Sequence, residues 1–325
     1  MKKYDVFGIG SALMDFLVEV DHKELLEMDL KHGEMHLIDK AHSKKIFEKL
    51  KKYKFKIAPG GSAANVLAGV AVLGGKVVFC GKVGQDEHGA VYEQKMTEGG
   101  VFSNIKKGSL MTGHTITFIT PDFERTFATH LGAALELGKE DVLEEELRQS
   151  KILHIEGYQL EGKAMREVAI HAMEIAKNNN VLVSIDLADP ALIRRNLEDM
   201  KNLVKKYADI VFANEKEAEA FTGKKEEAAL DEIAEFADVA VVKLGSKGSL
   251  IKSKNRVYKI NSFEAKAVDT TGAGDMYAAG ILYGISHDLP LEKAGKIASY
   301  AAAKVVEQIG ARLSKSLKDE IKKLI

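Results

Sequence analysis

Short apolar runs alternate along this chain with longer stretches of helical period, and that rhythm restricts the fold more than any other feature. Val6–Ile9, Val77–Cys80, Ile152–Ile155, Leu182–Asp186, Ile210–Ala213 and Ala240–Leu244 read as strands. Ala63–Leu73, Lys163–Asn178, Leu192–Tyr207, Lys216–Phe221, Leu230–Phe236 and Leu291–Ile309 carry helical periodicity. The pattern is βαβ and predicts a mostly parallel sheet covered on both faces, with ligands gathered at the carboxyl ends of the strands. Two stretches break the rhythm. Ala12–Leu37 alternates at Phe16, Val18 and Val20, and Gly113–His130 alternates at Thr115, Thr117 and Phe118, then at Thr126, Phe127 and Ala128. Both read as hairpin-like strands outside the main layer, able to pair in space as a lid that keeps water from a reacting group. With 325 residues, 46% of them hydrophobic, only 4 prolines and no low-complexity tract, one domain over 1–325 is expected, its lid formed by segments near 12–37 and 113–130.

Charge and cysteine content narrow the function classes. Lysine plus arginine (47) nearly balances aspartate plus glutamate (48), which argues against a nucleic-acid-binding surface or a membrane-attracting face. The lysine-rich stretches Lys44–Lys56 and Lys315–Lys323 read as solvated helix faces. The single cysteine, Cys80, lies in an apolar run and reads as core, so a reducing compartment is the simpler assumption. Met1-Lys2-Lys3-Tyr4-Asp5 leads into a strand without the apolar region of a signal peptide, and no apolar run reaches membrane-spanning length. A cytoplasmic protein is expected.

The turn Asp269-Thr270-Thr271-Gly272-Ala273-Gly274-Asp275 joins a glycine loop to a carboxylate where an amphipathic helix should begin. Met276, Ala279, Ile281, Leu282 and Ile285 carry that helix towards Leu289-Pro290. The N–H groups of Gly272, Ala273 and Gly274 then have no intrahelical partner, and the helix dipole adds to their attraction for an anion. Oxygens of a transferring phosphate suit such a nest. Asp275, in the same turn, is placed to accept the proton of an attacking hydroxyl late in transfer. A helix merely opened by glycine and capped by an acid has the same local sequence. A second glycine stretch, Pro59-Gly60-Gly61-Ser62-Ala63-Ala64-Asn65, leads into the apolar positions Val66, Val70, Ala71 and Leu73. Paired glycines let a backbone approach a polyhydroxyl ligand closely, and Asn65 offers both donors and acceptors for vicinal hydroxyls.

With G-G-x-x-x-N near its beginning and D-T-x-G-A-G-D near its end, the chain resembles the PfkB, or ribokinase-like, family of sugar and nucleoside kinases. Gly81-Lys82-Val83-Gly84-Gln85-Asp86-Glu87-His88-Gly89 is similar to the G-x-V-G-x-D-x-x-G that follows the first signature, and the resemblance runs from Tyr4 to Ser314. It implies an α/β fold: a three-layer α/β/α domain with a mostly parallel central sheet and a small β-strand lid. It also implies ATP and Mg²⁺ as cofactors.

Carried over residue by residue, the resemblance makes Asp275 the catalytic base and Gly272, Ala273 and Gly274 the anion hole. Asp15, in Gly10-Ser11-Ala12-Leu13-Met14-Asp15, matches an aspartate that binds substrate hydroxyls, with Gly60, Gly61 and Asn65 as its partners. Asn214-Glu215-Lys216-Glu217 matches an N-x-x-E motif that organises Mg²⁺ and phosphate through water, making Asn214 and Glu217 candidates; on residues alone it reads as a capped acidic helix start. Lys243, Gly245 and Gly248 match the segment that holds ATP. Arg125, in the lid, could reach the transferring phosphate on closure, with surface pairing to Glu124 as the bland alternative. Asp269, Thr271, Gly310 and Ser314 fall where related kinases bind a monovalent cation such as K⁺.

The segments Leu30–Asp39 and Pro121–Ala133 look like the adenosine-kinase-like branch, and Phe16, Phe118 and Phe127 could wall a purine. The expected acceptor is therefore the hydroxymethyl group of a nucleoside, with ribose, fructose or a keto-deoxy sugar acid as alternatives, and lid strands with exposed edges could pair two subunits. A dinucleotide-dependent oxidoreductase is disfavoured because Val6-Phe7-Gly8-Ile9-Gly10 is followed by Leu13 at the third-glycine position. No P-loop is present, and the 10 histidines show no zinc-enzyme spacing. A non-catalytic nucleotide-binding regulator would require loss of Asp275 or the nest, and both are intact.

Overall fold

The computed structural model describes residues 2–122, 124–160 and 162–324. Its main sheet contains β1 (Tyr4–Ile9), β5 (Val77–Val83), β6 (Phe102–Lys107), β9 (Ser150–Glu156), β10 (Leu182–Asp186), β11 (Ile210–Asn214), β12 (Val239–Lys243), β13 (Ser249–Ser253) and β14 (Arg256–Ile260). Their order is β14-β13-β12-β11-β10-β9-β1-β5-β6, parallel except for the edge hairpin β13–β14. Helices cover both faces because successive side chains alternate between two cores. Ile210 and Phe212 enter one core, Val211 and Ala213 the other.

The six strands read from apolar runs all form, Leu182–Asp186 with the expected bounds and the others with at least one end shifted by one to three residues. The three others were hidden by composition. β6 and β14 are the edges of the sheet and β13 is next to one of them, where exposed residues such as Phe102 and Lys107 or Arg256 and Val257 dilute the apolar signal. The single helical period read over Leu192–Tyr207 is two helices, Pro190–Arg195 and Leu197–Tyr207. Asn196 separates them by donating its side-chain amide to the Leu192 carbonyl at 3.1 Å, competing with the helical ladder.

The second sheet is the lid, ordered β3-β8-β7-β2-β4 from β2 (Leu13–Glu19), β3 (Met35–Leu37), β4 (Lys56–Pro59), β7 (Gly113–Ile119) and β8 (Arg125–His130). Only β7–β8 is a hairpin. β2 and β3 do not pair with each other; the helix His22–Glu27 lies between them in sequence, and they flank the hairpin in parallel with β7 and β8. The stretch Lys44–Lys56 is likewise not one solvated helix, since the helix ends at Lys49 and Lys56 opens β4 against β2. Of Lys315–Lys323 only Lys318–Ile321 is helical.

Glycine packing fixes the site's geometry from a distance. The helices Ser62–Val72, Ala273–Ser286 and Leu291–Val306 pack closely: a β-carbon at Gly69 would fall 2.6 Å from Ala279 Cβ, and one at Gly280 would fall 2.3 Å from Ala298 Cα. Such contacts tolerate only glycine, so the first two helices lie side by side and their starts meet. Among the described residues, no helix is long and apolar enough to cross a membrane.

Candidate active site

At that meeting point Asp275 receives two hydrogen bonds from the other glycine stretch. Ser62 Oγ donates to Oδ1 at 2.8 Å, and Asn65 Nδ2 donates to Oδ2 at 2.9 Å. Burial pushes the Asp275 carboxyl above the ordinary aspartate range, while these two bonds hold it down. A carboxylate has about four lone-pair sites, so one more donor can still approach it.

Asn65 is not free for substrate hydroxyls as expected, because its side-chain oxygen accepts from Arg312 Nε at 2.8 Å. Arg312 also donates through Nη2 to the Gly60 carbonyl at 2.8 Å. Sequence reading missed Ser62, inside the stretch Pro59–Asn65, and Arg312, between Gly310 and Ser314, because nothing in a linear pattern says they meet. Asp15 leaves β2 towards the same place, half-buried over Gly60, where a β-carbon would fall 2.2 Å from its carboxyl oxygens. Burial raises the Asp15 carboxyl to about 7, with the Arg312 charge opposing and Asp275 and Asp269 adding to the rise. At Gly61, φ is 87° and a β-carbon would meet the Ser11 carbonyl at 2.2 Å. Here close backbone approach is to the protein itself.

The turn before Asp275 has the expected form. Gly272 adopts left-handed φ of 77°, the helix Ala273–Ser286 follows, and no side chain caps it. One of the three N–H groups is partly used: Ala273 N–H donates to the Thr270 carbonyl at 3.2 Å. A β-carbon at Gly274 would come within 3.3 Å of Lys243 Nζ, so the ammonium borders the nest. Lys243 is held at the end of β12 by Asp186 at 2.8 Å. Burial opposes its charge, but Asp186 and Glu217 outweigh that and keep it protonated above the usual lysine range. Asp186 was not read as a site residue; its signal was its position at the carboxyl end of a central strand.

Glycines 245 and 248 do not act alike. Gly248 has φ of 94°, and a β-carbon there would overlap the Ile260 carbonyl at 2.0 Å, so the β13–β14 hairpin requires it; Gly245 faces open space.

The Mg²⁺ candidates sit near Lys243. Asn214 caps the helix Glu215–Thr222, accepting from Glu217 N–H at 2.9 Å while its own N–H donates to Glu217 Oε2 at 2.7 Å. Burial pushes the Glu217 carboxyl to about 7; Lys243 opposes, and Asp186 and Asp189 add to the rise. Three acids around one lysine leave an excess of negative charge that fits a divalent cation.

The monovalent-cation set does not fit in the same way. Asp269 accepts from Thr271 N–H at 2.8 Å and Gly310 N–H at 2.9 Å, and forms an ion pair with Arg125. Burial opposes the charge on Asp269, yet these partners hold its carboxyl below the ordinary range. Ser314 is exposed, and within this set, among the described residues, the Thr271 hydroxyl alone is buried without a hydrogen-bond partner. A guanidinium already neutralises the carboxylate that a cation would need. Arg125, whose Nη1 also donates to Thr270 Oγ1 at 2.6 Å, thereby fastens the lid to the loop that forms the nest. Its contact with Glu124 is limited to its own backbone N–H.

The third motif is architectural. Asp86 caps the helix Glu87–Glu98 through Gly89 N–H at 2.8 Å, and its other oxygen accepts from Thr112 N–H at 2.8 Å at the entry to β7. It anchors the base of the lid.

Of the aromatic residues offered as purine walls, two turn away. Strand pairing places Phe16 with Ile116 and Phe118 with Val18, on the lid face opposite Asp15, where both are buried. Phe127 pairs with Thr117 and shares the Asp15 face with Thr115 and Thr129.

A model of the "pfkB family carbohydrate kinase" family matches residues 32–318. The match leaves Asp15 outside it. A 5-dehydro-2-deoxygluconokinase of Lacticaseibacillus casei is 32% identical over 325 residues, covering 95% of this chain and 92% of the relative. The enzyme of the same description from Listeria monocytogenes serovar 1/2a is 31% identical over 282 residues, covering 82% and 86%. Among solved structures, a probable sugar kinase from Rhizobium etli CFN 42 superposes with TM-score 0.94 at 33% identity over 100% of both chains. An adenosine kinase from Sinorhizobium meliloti gives TM-score 0.93 at 33% identity, covering 99% of this chain and 100% of that one.

Proposed function

The chain belongs to the pfkB family of carbohydrate kinases, and we propose that it transfers the γ-phosphoryl group of ATP to a primary hydroxyl of a small sugar acid, with Asp275 as base. The observation that carries this reading is the pairing of one carboxylate with an uncapped helix start. Asp275 is held by Ser62 and Asn65 beside the Gly272–Gly274 nest and the Lys243 ammonium. The acceptor hydroxyl gives its proton to Asp275 as its oxygen attacks the γ-phosphorus in line, and the bond from that phosphorus to the bridging oxygen breaks opposite it, releasing ADP. The nest N–H groups and Lys243 stabilise the charge that develops on the phosphoryl oxygens. Glu217 and Asn214 would hold Mg²⁺ through water, and the metal when bound neutralises phosphate charge. Arg125 keeps the lid down on the Asp269–Thr270 corner and so excludes water.

A sugar acid is favoured over a nucleoside by two facts. The two curated relatives described above carry the name 5-dehydro-2-deoxygluconokinase. The lid face that holds Asp15 also carries Thr115, Thr117 and Thr129, hydroxyl groups that suit a polyhydroxyl chain better than an aromatic base. A nucleoside remains the second reading, supported by the Sinorhizobium meliloti adenosine kinase and by Phe127 on that same face.

The test is ATP consumption with Mg²⁺ across 5-dehydro-2-deoxygluconate, ribose, fructose and adenosine, using Asp275→Asn as control. Selective turnover of the sugar acid, lost in the variant, is the expected result. Selective turnover of adenosine would replace the acceptor and keep the mechanism, and silence on every acceptor would overturn the kinase reading.

A further inference from the structure

Away from the phosphoryl-transfer site, three chain segments of the lid bring metal-binding side chains to one point. His22 opens the helix His22–Glu27 that follows β2, His32 lies in the turn before β3, and Asp122 lies at the tip of the β7–β8 hairpin. His32 Nε2 is 3.2 Å from Asp122 Oδ2, and His22 Nε2 is 3.9 Å from Oδ1. The two imidazole centroids are 5.0 Å apart, and one ligand atom from each of the three residues lies within 4.8 Å of the others. All three residues are exposed, so no burial forces them together.

We propose that His22, His32 and Asp122 bind one late first-row divalent cation, Zn²⁺ in the first instance, at the tip of the lid. Imidazole nitrogen with a carboxylate is a donor set that zinc, nickel and copper prefer over magnesium or calcium. Tetrahedral zinc with bonds of about 2.0–2.1 Å needs its ligand atoms roughly 3.3 Å apart. The two nitrogen–oxygen distances bracket that value, and rotation of the two exposed rings closes the third. Water completes the coordination. Thr120 Oγ1 donates to Asp122 Oδ1 at 2.6 Å and would orient the carboxylate, while its 3.1 Å contact with His32 Nε2 gives way to the metal.

The ion would join parts of the lid that the sheet leaves apart. β2 and β3 are separated by the β7–β8 hairpin, so a bond from His22 to His32 ties the exit of one to the entry of the other, with the hairpin tip between. Arg125 lies three residues beyond Asp122 in sequence and opens β8, so the metal would stiffen the strand that latches onto Asp269. This inference does not depend on the acceptor or on the kinase reading.

Calorimetric titration of the full chain with ZnCl₂, after chelator treatment, tests it, with Co²⁺ absorption reporting geometry. One equivalent of Zn²⁺ and the intense visible bands of four-coordinate Co²⁺ are expected. His22→Ala, which removes a ring with no hydrogen bond among those found for this site, should weaken Zn²⁺ at least tenfold, and Asp122→Asn likewise, while circular dichroism stays unchanged. The proposal is overturned if the wild-type chain takes up no stoichiometric Zn²⁺, or if both variants bind it as the wild type does. Raised thermal stability with Zn²⁺ in the wild type but not in His22→Ala is the second expected result; an equal rise in both assigns the metal to other residues and overturns it as well.

Discussion

Two helices of this molecule begin at glycine turns a few ångströms apart, and they dispose of their first N–H groups in opposite ways. The helix Ser62–Val72 is capped from within the protein: Glu156, at the end of β9, accepts from Ala63 N–H at 2.7 Å and from Ser11 N–H at 3.2 Å. Among the described residues no side chain accepts from the Gly272, Ala273 or Gly274 N–H groups that open the helix Ala273–Ser286. One anion site is thus filled by a fixed carboxylate, and in the proposed function the other takes the phosphate. On that reading the same local sequence signal, glycine before a helix, means packing in one place and phosphate binding in the other. Gly60 and Gly61 are crowded by Asp15 and by the Ser11 carbonyl, and Gly272 by Ala311 at 2.6 Å, so the difference lies at Gly274, which faces an ammonium.

The comparison breaks hardest at the carboxylate both turns share. Asp275→Asn keeps its oxygen as acceptor for Asn65 and turns its NH2 to Ser62 Oγ, which can accept, but it cannot take a proton, so kcat should fall by about 10³-fold or more while both substrates bind within a few-fold of wild type. Steady-state kinetics with direct binding measurements check this; near-wild-type turnover would move the base elsewhere. Next in size is Arg125→Ala, which unlatches the lid from the open helix start and leaves Asp269, 3% exposed, without its cation. Turnover should drop on the order of 10²-fold. Urea unfolding should reveal a loss of about 3 kcal/mol, because breaking a buried pair strands a charge. Unchanged stability would mean the latch is open in solution.

Smaller effects separate the two turns from each other. Gly274→Ala puts a methyl group against Lys243 and should raise the KM for ATP about tenfold, with the acceptor KM nearly unmoved. Gly60→Ala drives the methyl group into the Asp15 carboxyl and should do the reverse. If both variants shift the same constant, the division into an acceptor turn and a phosphate turn is wrong.

The open turn was legible in the sequence and the capped one was not, for a physical reason. Asp275, Gly272 and Gly274 work within one helical turn, so linear spacing encodes their geometry. Glu156, Arg312 and Asp186 act on residues 93, 247 and 57 positions away, in the Glu156–Ala63, Arg312–Asn65 and Asp186–Lys243 bonds. No periodicity records such contacts. The same holds for the fold. Central strands announced themselves as apolar runs, while the edge strands β6 and β14, and β13 beside the latter, carry too much polar surface to stand out. The lid's alternation was visible, but β4 was concealed in a lysine-rich stretch, and which face of β2 looks inward became clear only from its pairing with β7.

The finest test of the comparison concerns the internal cap. Burial raises the Glu156 carboxyl from 4.5 to about 7 despite the N–H groups that favour its anion. A carboxyl whose folded-state pKa is raised holds its proton more tightly in the native state, so its contribution is fully present below about 4.5 and is lost as pH climbs through about 7. Glu217 has the same window and Asp15 a slightly wider one, from 3.8 to about 7. Denaturant midpoints of the wild type should therefore decline between pH 5 and 8. Glu156→Gln resembles the protonated form at every pH, so its decline over that range should be shallower while its stability near pH 5 stays close to wild type. A profile as steep as wild type would show that the helix start and its donors outweigh burial and keep Glu156 ionised. The capped turn would then hold a permanent anion of its own, and the contrast with the open turn would be sharper still.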